Sequence, residues 1–218
     1  MSDGNYIRAA TVKSDDAVFD AMRWRSPMAI FADWLVAAEH TGMEYPNAMT
    51  LATVDSTGMP QARIVLLKTF AAGDEVFKFF THRDGRKGKA LQTCPKAALT
   101  FYWPPLSRQV LVEGVVHELP REETAVYYHT RPRQSRIGAW ASRQSQPVES
   151  YAVFRAQVAA EEKKYANKKP PLPPHWTGFM LVPLRLEFWQ DGHCRLHQRL
   201  VFERASSAQP WQSMFLQP

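Results

Sequence analysis

Residues 48–81 have the sequence AMTLATVDSTGMPQARIVLLKTFAAGDEVFKFFT, and this stretch decides the fold of the chain. Three runs rich in β-branched and aromatic residues, 48–55, 62–70 and 75–81, are separated by the short polar segments STG and AAGD. Runs of this composition between turn residues are typical of neighbouring antiparallel strands. We therefore predict three consecutive antiparallel strands here.

The rest of the chain extends this pattern. We predict further strands at 97–103, 108–119, 178–190, 195–203 and 211–217, and helices at 26–42, 85–94, 120–131 and 149–166. These make about eight strands and four helices without a regular βαβ alternation. The fold class predicted is mainly β with added helices, an antiparallel barrel rather than a doubly wound parallel sheet. Residues 1–25 are predicted to be a mobile N-terminal arm, and residues 26–218 a single domain.

Composition and charge exclude several classes of protein. The 218 residues are 45% hydrophobic and contain two cysteines, so we expect a packed core without a disulfide framework. No apolar run is long enough for a membrane span and the N-terminus lacks the apolar centre of a secretory signal, which predicts a cytoplasmic protein without a membrane partner. The net charge is +6, and residues 60–145 carry 14 Lys and Arg against 7 Asp and Glu. This basic middle can attract nucleic acid or an acidic small molecule.

The most basic segment is 127–146, YYHTRPRQSRIGAWASRQSQ, which has four arginines and no acid. Tyr127, Arg131 and Ser135 are spaced by four, but Pro132 disfavours one continuous helix. We predict a helix that ends near Arg131, a bend, and a new helix N-capped by Ser135. A hydroxyl, a guanidinium and free N–H groups around a bend would bind a phosphate. A solvated basic turn is the alternative.

Three further clusters are candidates for binding. Arg63 and Lys68 stand near the ends of an apolar strand and would point to opposite faces, although charged strand ends are common. Thr81 with the Arg86–Lys87 pair at a helix start would suit a second phosphate, as a weak motif.

The last candidate group lies near the C-terminus. Arg195, His197 and Arg199 would share one face of a strand near Trp189, and cations so placed repel each other unless an anion or a ring lies over them. The sequence contains neither a nucleophile triad nor metal-ligand spacing, so catalysis by a cofactor is favoured. Two phosphate sites suggest a phosphorylated cofactor and a phosphorylated substrate, and the residues alone identify neither.

Several of these segments together resemble a known family. Over residues 26–218 the chain is similar to the pyridoxine (pyridoxamine) 5′-phosphate oxidases in the order of NAMTLATVD, ARIVLLK, FFT with the following RKGK, FYW, RQVLVEG, YYHTRP, the IGAW–QSQ run, EFWQ and RLHQR. The resemblance implies a split β-barrel that binds FMN at the interface of a homodimer. It also implies oxidation of pyridoxamine or pyridoxine 5′-phosphate to pyridoxal 5′-phosphate, a step of vitamin B6 metabolism, while O2 is reduced to H2O2.

The resemblance also implies roles for individual residues. The residues expected to bind FMN are Arg63, Ile64, Val65, Leu66, Phe80, Thr81, Arg86, Lys87, Gln109, Gln144, Ser145, Trp189 and Arg199, some of them from the second subunit. The residues expected to bind the substrate are Lys68, Tyr127, Arg131, Ser135, Arg195, Leu196 and His197. Arg195 and His197 are also the catalytic candidates, through positioning and charge, and no metal is implied.

The chain departs from the family pattern in three places. Gln198 replaces the usual aspartate between His197 and Arg199, Gly85 replaces a frequent serine, and the segment 22–25 lacks the usual tyrosine. These departures leave room for a related flavin oxidase that acts on another substrate, such as a phenazine precursor. Two further alternatives are a split barrel that binds flavin without turnover and a non-catalytic, basic nucleic-acid-binding protein.

Overall fold

The computed structural model describes residues 16–68, 70, 73 and 75–218. Its strands are β1 (Ala48–Val54), β2 (Pro60–Leu66), β3 (Phe77–His82), β4 (Lys96–Trp103), β5 (Arg108–Glu118), β6 (Trp176–Gln190), β7 (Gln198–Glu203) and β8 (Gln212–Leu216). Its helices are α1 (Asp16–Met22), α2 (Pro27–Glu39), α3 (Arg86–Thr93), α4 (Arg121–Thr130), α5 (Arg133–Ala141) and α6 (Tyr151–Lys164), with short 3-10 helices at Pro104–Leu106 and His193–Arg195. The described residues contain no helix long and apolar enough to cross a membrane.

The strands form one antiparallel sheet in the order β2-β1-β4-β5-β6-β7-β8, and β3 joins it by pairing with β6. The long strand β6 organises this sheet. One side of β6 pairs with β5, while the other pairs with β3 over residues 176–181 and with β7 over residues 185–190. The sheet therefore divides where β3 and β7 separate along β6, and the predicted class, an antiparallel split barrel with added helices, is confirmed.

A bulge between β5 and β6 marks this point of division. The register shifts between Glu113 and Gly114, and Gly114 lies opposite Pro183. A Cβ atom on Gly114 would lie 2.1 Å from the carbonyl oxygen of Val182, so only glycine allows the two strands to approach this closely. Bulges of this kind bend a strand.

The core is aromatic and lies under α2. Phe31 on that helix is fully buried and makes edge-to-face contacts with Phe70, Phe77 and Phe101 at centroid distances of 4.8–4.9 Å. Such geometry places ring edges against ring faces, which adds to the gain from burial alone. The predicted helix start is confirmed, since α2 begins at Pro27.

Some sequence predictions need correction. β3 does not pair with β2 as a third consecutive strand, because Phe79 on β3 stacks on Phe179 of β6 at 5.7 Å and its backbone bonds to that strand. The predicted helix 26–42 ends at Glu39, before Gly42.

The predicted N-terminal arm is only partly visible. Residues 1–15 lie outside the described residues. Asp16–Met22 form α1, where we predicted no element, and Phe19 and Met22 of this helix are buried against the core.

Candidate active site

The first part of the site forms where β3 meets α3. Lys87, in the first turn of α3, donates from Nζ to Thr81 Oγ1 at 3.1 Å and to Gln144 Oε1 at 2.6 Å. Thr81 Oγ1 also donates to Gln144 Oε1 at 2.9 Å. Gly85 caps the helix, and a Cβ there would lie 2.8 Å from Gln144 Oε1, so the missing side chain leaves room for the Gln144 amide.

Two arginines, Arg63 and Arg86, add positive charge beside Lys87. The Arg63 guanidinium is held by Thr53 Oγ1 at 2.7 Å and Gln61 Oε1 at 3.0 Å. Burial lowers the pKa of Arg63, and the nearby Arg86 lowers it further. Burial also lowers the pKa of Lys87, and Arg63 adds to this effect. We call Arg63, Thr81, Arg86, Lys87 and Gln144 the cationic seat.

The cationic seat suits a phosphate on physical grounds. Three positive side chains repel each other at a helix N-terminus, and an anion there removes the repulsion. The Thr81 hydroxyl and the backbone N–H groups of α3 add hydrogen-bond donors. The residues present therefore fit the phosphate group of a cofactor.

The second part of the site has aromatic walls. Phe80 stacks on Tyr127 with ring centroids 4.0 Å apart, and both rings lie nearly parallel to Trp176. The Arg131 guanidinium, just after α4, lies 4.6 Å from the centre of the Trp176 ring. With Lys68, these four residues form what we call the aromatic seat.

The two cations of the aromatic seat are poorly compensated. Burial lowers the pKa of Lys68 and of Arg131, and the charge of Arg131 lowers the pKa of Lys68 further. Nη1 of Arg131 is buried and has no hydrogen-bond partner within the described part of the chain. Burial raises the pKa of Tyr127, which keeps its hydroxyl protonated as a donor. This set can bind a second anion.

One cavity of about 320 Å³ borders both seats, and Arg63, Arg86 and Lys87 are not among the residues that line it. Its wall contains Thr81 and Gln144 from the cationic seat and Lys68, Tyr127 and Arg131 from the aromatic seat. The described residues that line it include no carboxylate. Two anionic groups can therefore bind side by side, which places the molecules that carry them in contact.

Other predicted residues lie near the seats without completing them. Ile64 on β2 is 66% exposed, whereas Val65 packs against the core and Leu66 ends the strand. Ser145 is exposed with a φ of 69° and directly follows Gln144.

Ser135 occupies a different position from the one predicted. The helix α5 begins at Arg133 with Pro132 as its N-cap, so Ser135 lies in the first turn instead of capping the helix. It does not line the cavity. The bend itself is confirmed, because α4 ends at Thr130 and Arg131 is extended.

The C-terminal candidates form a separate group. Gln109 and Arg199 flank Trp189 on neighbouring strands, and the Trp189 ring lies 4.7 Å from the ring of His197. His197 Nδ1 lies 3.0 Å from Asp191, and Arg199 bonds Glu187 at 2.6 Å. None of these residues lines the cavity described above.

The predicted strand face of Arg195, His197 and Arg199 is wrong. β7 begins only at Gln198, and Arg195 ends a 3-10 helix with a φ of 65°. Arg195 and Leu196 are exposed on this turn. The repulsion expected between Arg195 and Arg199 is also reduced by Glu187, which neutralises Arg199.

Sequence reasoning missed two residues of the site. Trp176 and His82 both line the cavity. His82 stacks on His175 at 5.0 Å, and the His175 ring lies 2.9 Å from the Ala139 carbonyl oxygen. Burial, and then the charges of His175, Lys87 and Arg131, lower the pKa of His82 to about 4 against a weaker effect of Asp84. His82 directly follows the predicted strand 75–81, and Trp176 lies two residues before the predicted strand 178–190, so no predicted element pointed to either residue.

Comparison with known proteins agrees with this geometry. Residues 35–165 match the family model "Pyridoxamine 5'-phosphate oxidase", and residues 176–218 match "Pyridoxine 5'-phosphate oxidase C-terminal dimerisation region". The pyridoxine/pyridoxamine 5'-phosphate oxidase of Azorhizobium caulinodans is 47% identical over 88% of this chain and 90% of its own. The protein of the same name from Bradyrhizobium sp. strain BTAi1 is 40% identical over the whole of both chains.

A solved structure shares the architecture. The crystal structure of PhzG from Burkholderia lata, in complex with tetrahydrophenazine-1-carboxylic acid, superposes with a TM-score of 0.87 at 27% identity, covering 96% of this chain and 100% of PhzG. Fold and site together define a split-barrel protein with two neighbouring clusters of cationic side chains. The family matches then make the assignment specific: the chain belongs to the pyridoxine/pyridoxamine 5′-phosphate oxidase family.

Proposed function

We propose that this protein oxidises pyridoxamine or pyridoxine 5′-phosphate to pyridoxal 5′-phosphate with FMN as its cofactor. The observation that carries the proposal is the single cavity that joins two anion seats, one cationic and one aromatic. A cofactor phosphate and a substrate phosphate bound there would bring the two ring systems together.

The cationic seat would hold the FMN phosphate. Lys87 and Thr81 already share one acceptor, the Gln144 amide oxygen, so a phosphate oxygen can take that position without new donors. Arg63 and Arg86 supply further positive charge. When bound, FMN supplies the acceptor for the hydride that leaves the C4′ carbon of the substrate, and O2 then takes the electrons to give H2O2.

The aromatic seat would hold the substrate. Lys68 and Arg131 would pair with its phosphate, and Tyr127 would donate from its hydroxyl. Anchoring the phosphate fixes the position of the pyridine ring, which is how a protein without a nucleophile contributes to hydride transfer.

The remaining candidates would act from a second copy of the chain. Residues 176–218 match a dimerisation region, and this range includes Trp189, Arg195, Leu196, His197 and Arg199. None of them lines the cavity within its own chain. We therefore propose a homodimer in which these residues approach the partner's cavity, with Gln109 beside them, and in which Arg195 and His197 contact the substrate ring.

The test is a visible spectrum of the purified protein before and after anaerobic addition of pyridoxamine 5′-phosphate. We expect a flavin band that bleaches on addition and returns with air. A band that does not bleach would contradict the substrate. It would then favour a ligand like that in the PhzG complex, which the same bleaching experiment can test with tetrahydrophenazine-1-carboxylic acid. A protein that takes up no flavin, even from added FMN, would overturn the proposal as a whole.

A further inference from the structure

Trp176 is fixed more firmly than the other walls of the aromatic seat. It is the first residue of β6, only 4% exposed, and pairs with His82 of β3. Its carbonyl oxygen accepts a hydrogen bond from Arg121 at 2.9 Å, and Arg121 also bonds the Pro173 carbonyl at 2.7 Å. The backbone that carries the buried indole is therefore held at the start of β6 by strand pairing and by Arg121.

Arg131 depends on this surface. Its guanidinium lies 4.6 Å from the indole centre and 5.9 Å from the Tyr128 ring, and Nη1 is buried without a hydrogen-bond partner in the described residues. A half-buried cation without a carboxylate is costly, and the face of a tryptophan is the best aromatic surface to compensate it. The indole is thus a direct contact that stabilises this charge where it stands.

Two neighbouring rings pack with the indole beside Arg131. Phe80 lies parallel to the indole, at 10° and 5.3 Å, and Tyr127 lies on Phe80. Gly178 makes this stack possible, since a Cβ there would lie 2.6 Å from the Phe80 ring. Arg131 and the three rings all line the cavity.

We propose that Trp176 is a positioning residue for the substrate phosphate: its ring holds the Arg131 guanidinium at the cavity wall as an unpaired, preoriented cation. This inference rests on the proposed function, because it assigns the ligand of Arg131 to the substrate. Trp176 does not touch the phosphate. It acts through Arg131, and its removal should weaken the binding of phosphorylated ligands only.

The experiment is a double-mutant cycle read out by equilibrium dialysis. The probe is 4-deoxypyridoxine 5′-phosphate, which lacks the oxidisable group at C4′, with the FMN-loaded protein and its Trp176→Phe, Trp176→Leu, Arg131→Met and Trp176→Phe/Arg131→Met variants. We expect the dissociation constant to rise about threefold in Trp176→Phe, which keeps a weaker aromatic face, and about tenfold in Trp176→Leu. In the Arg131→Met background, Trp176→Phe should change the dissociation constant of the probe by less than about twofold.

Two controls separate positioning from general damage. Unphosphorylated 4-deoxypyridoxine should bind all variants within about twofold of the parent, because it makes no use of Arg131. Trp211→Phe is the matched substitution, because the Trp211 ring also lies under a guanidinium, that of Arg204, at 4.1 Å. Trp211 does not line the cavity, so this substitution should leave both dissociation constants unchanged.

The outcomes are distinct. The inference would be overturned if Trp176→Phe weakened binding of the phosphorylated probe equally with and without Arg131. It would also be overturned if the variants lost equal affinity for the unphosphorylated probe, or if the parent protein bound both probes with the same affinity. If Trp176→Leu does not fold, the cycle with phenylalanine decides alone. A complete cycle in a protein that does not oxidise pyridoxamine 5′-phosphate would support the positioning role and count against the proposed reaction.

Discussion

The cationic seat and the aromatic seat differ in how their positive charges are compensated in the ligand-free chain. In the cationic seat, Lys87 and Thr81 already donate to a polar acceptor, Gln144, so the ligand-free site is satisfied by an amide. In the aromatic seat, Arg131 has a ring beneath it and a buried Nη1 without a partner among the described residues. The first design suits a cofactor that stays bound, because ligand oxygens replace an existing acceptor. The second design suits a substrate that must leave, because the Trp176 ring stabilises the Arg131 charge when no substrate is bound.

The largest expected effect concerns His82, which lies between the seats. Its pKa falls from 6.5 to about 4, so between these values the folded protein binds fewer protons than the unfolded chain. The free energy of unfolding should therefore decrease as the pH falls from 6.5 to 4, by up to about 3 kcal/mol from this residue. Urea unfolding of the ligand-free protein at pH 7 and pH 4 measures it.

The variant His82→Phe keeps the ring stack on His175 but cannot titrate. It should lose less stability on acidification than the parent, whereas the exposed control His117→Phe should behave like the parent. If the pH dependence of His82→Phe equals that of the parent, burial and the neighbouring charges do not lower the pKa of His82 as expected.

Next in size is Lys87→Met in the cationic seat. Removing a half-buried ammonium that would bind the cofactor phosphate should weaken FMN binding about 100-fold, as expected for a lost charged hydrogen-bond partner. Quenching of FMN fluorescence by the apoprotein gives the dissociation constant. Lys89→Met, an exposed lysine on the same helix, is the control. Equal FMN affinity in Lys87→Met and Lys89→Met would mean that the cationic seat is not the cofactor site.

Arg131→Met tests the aromatic seat in the same way. We expect KM for pyridoxamine 5′-phosphate to rise about 30-fold while FMN affinity stays within twofold, because only one of two cations at the substrate phosphate is lost. Steady-state kinetics with excess FMN measure this, with the exposed Arg155→Met as control. If Arg131→Met lost FMN instead, the division into two seats would be wrong.

The sequence alone predicted only part of the fold that positions the two seats. Local alternation identified the strands, and Pro132 placed the bend after Arg131, because both signals act over a few residues. The pairing of β3 with β6 was missed since it depends on contacts a hundred residues apart, such as Phe79 with Phe179.

For the site as well, local sequence signals could be recognised, whereas contacts between distant residues could not. Residue types that bind phosphate are recognisable in a sequence, so Lys87 and Arg131 could be found. The ring beneath Arg131 could not, because a cation–π contact leaves no spacing pattern. The turn at Arg195 was missed for another reason. Non-glycine residues with a positive φ are uncommon, so the sequence favoured an extended strand at this position.

The smallest effect is expected from Ser135→Ala. Ser135 lies in the first turn of α5, near the end of α4 that carries Arg131, yet it does not line the cavity of the ligand-free chain. If a bound phosphate reaches this turn, loss of one neutral hydroxyl should raise KM for pyridoxamine 5′-phosphate about threefold to fivefold without changing kcat. The neighbouring exposed Gln134→Ala should leave KM unchanged. A KM for Ser135→Ala equal to that of the parent would confine the phosphate contacts of the aromatic seat to Lys68, Tyr127 and Arg131, and it would exclude the Ser135 hydroxyl from substrate binding.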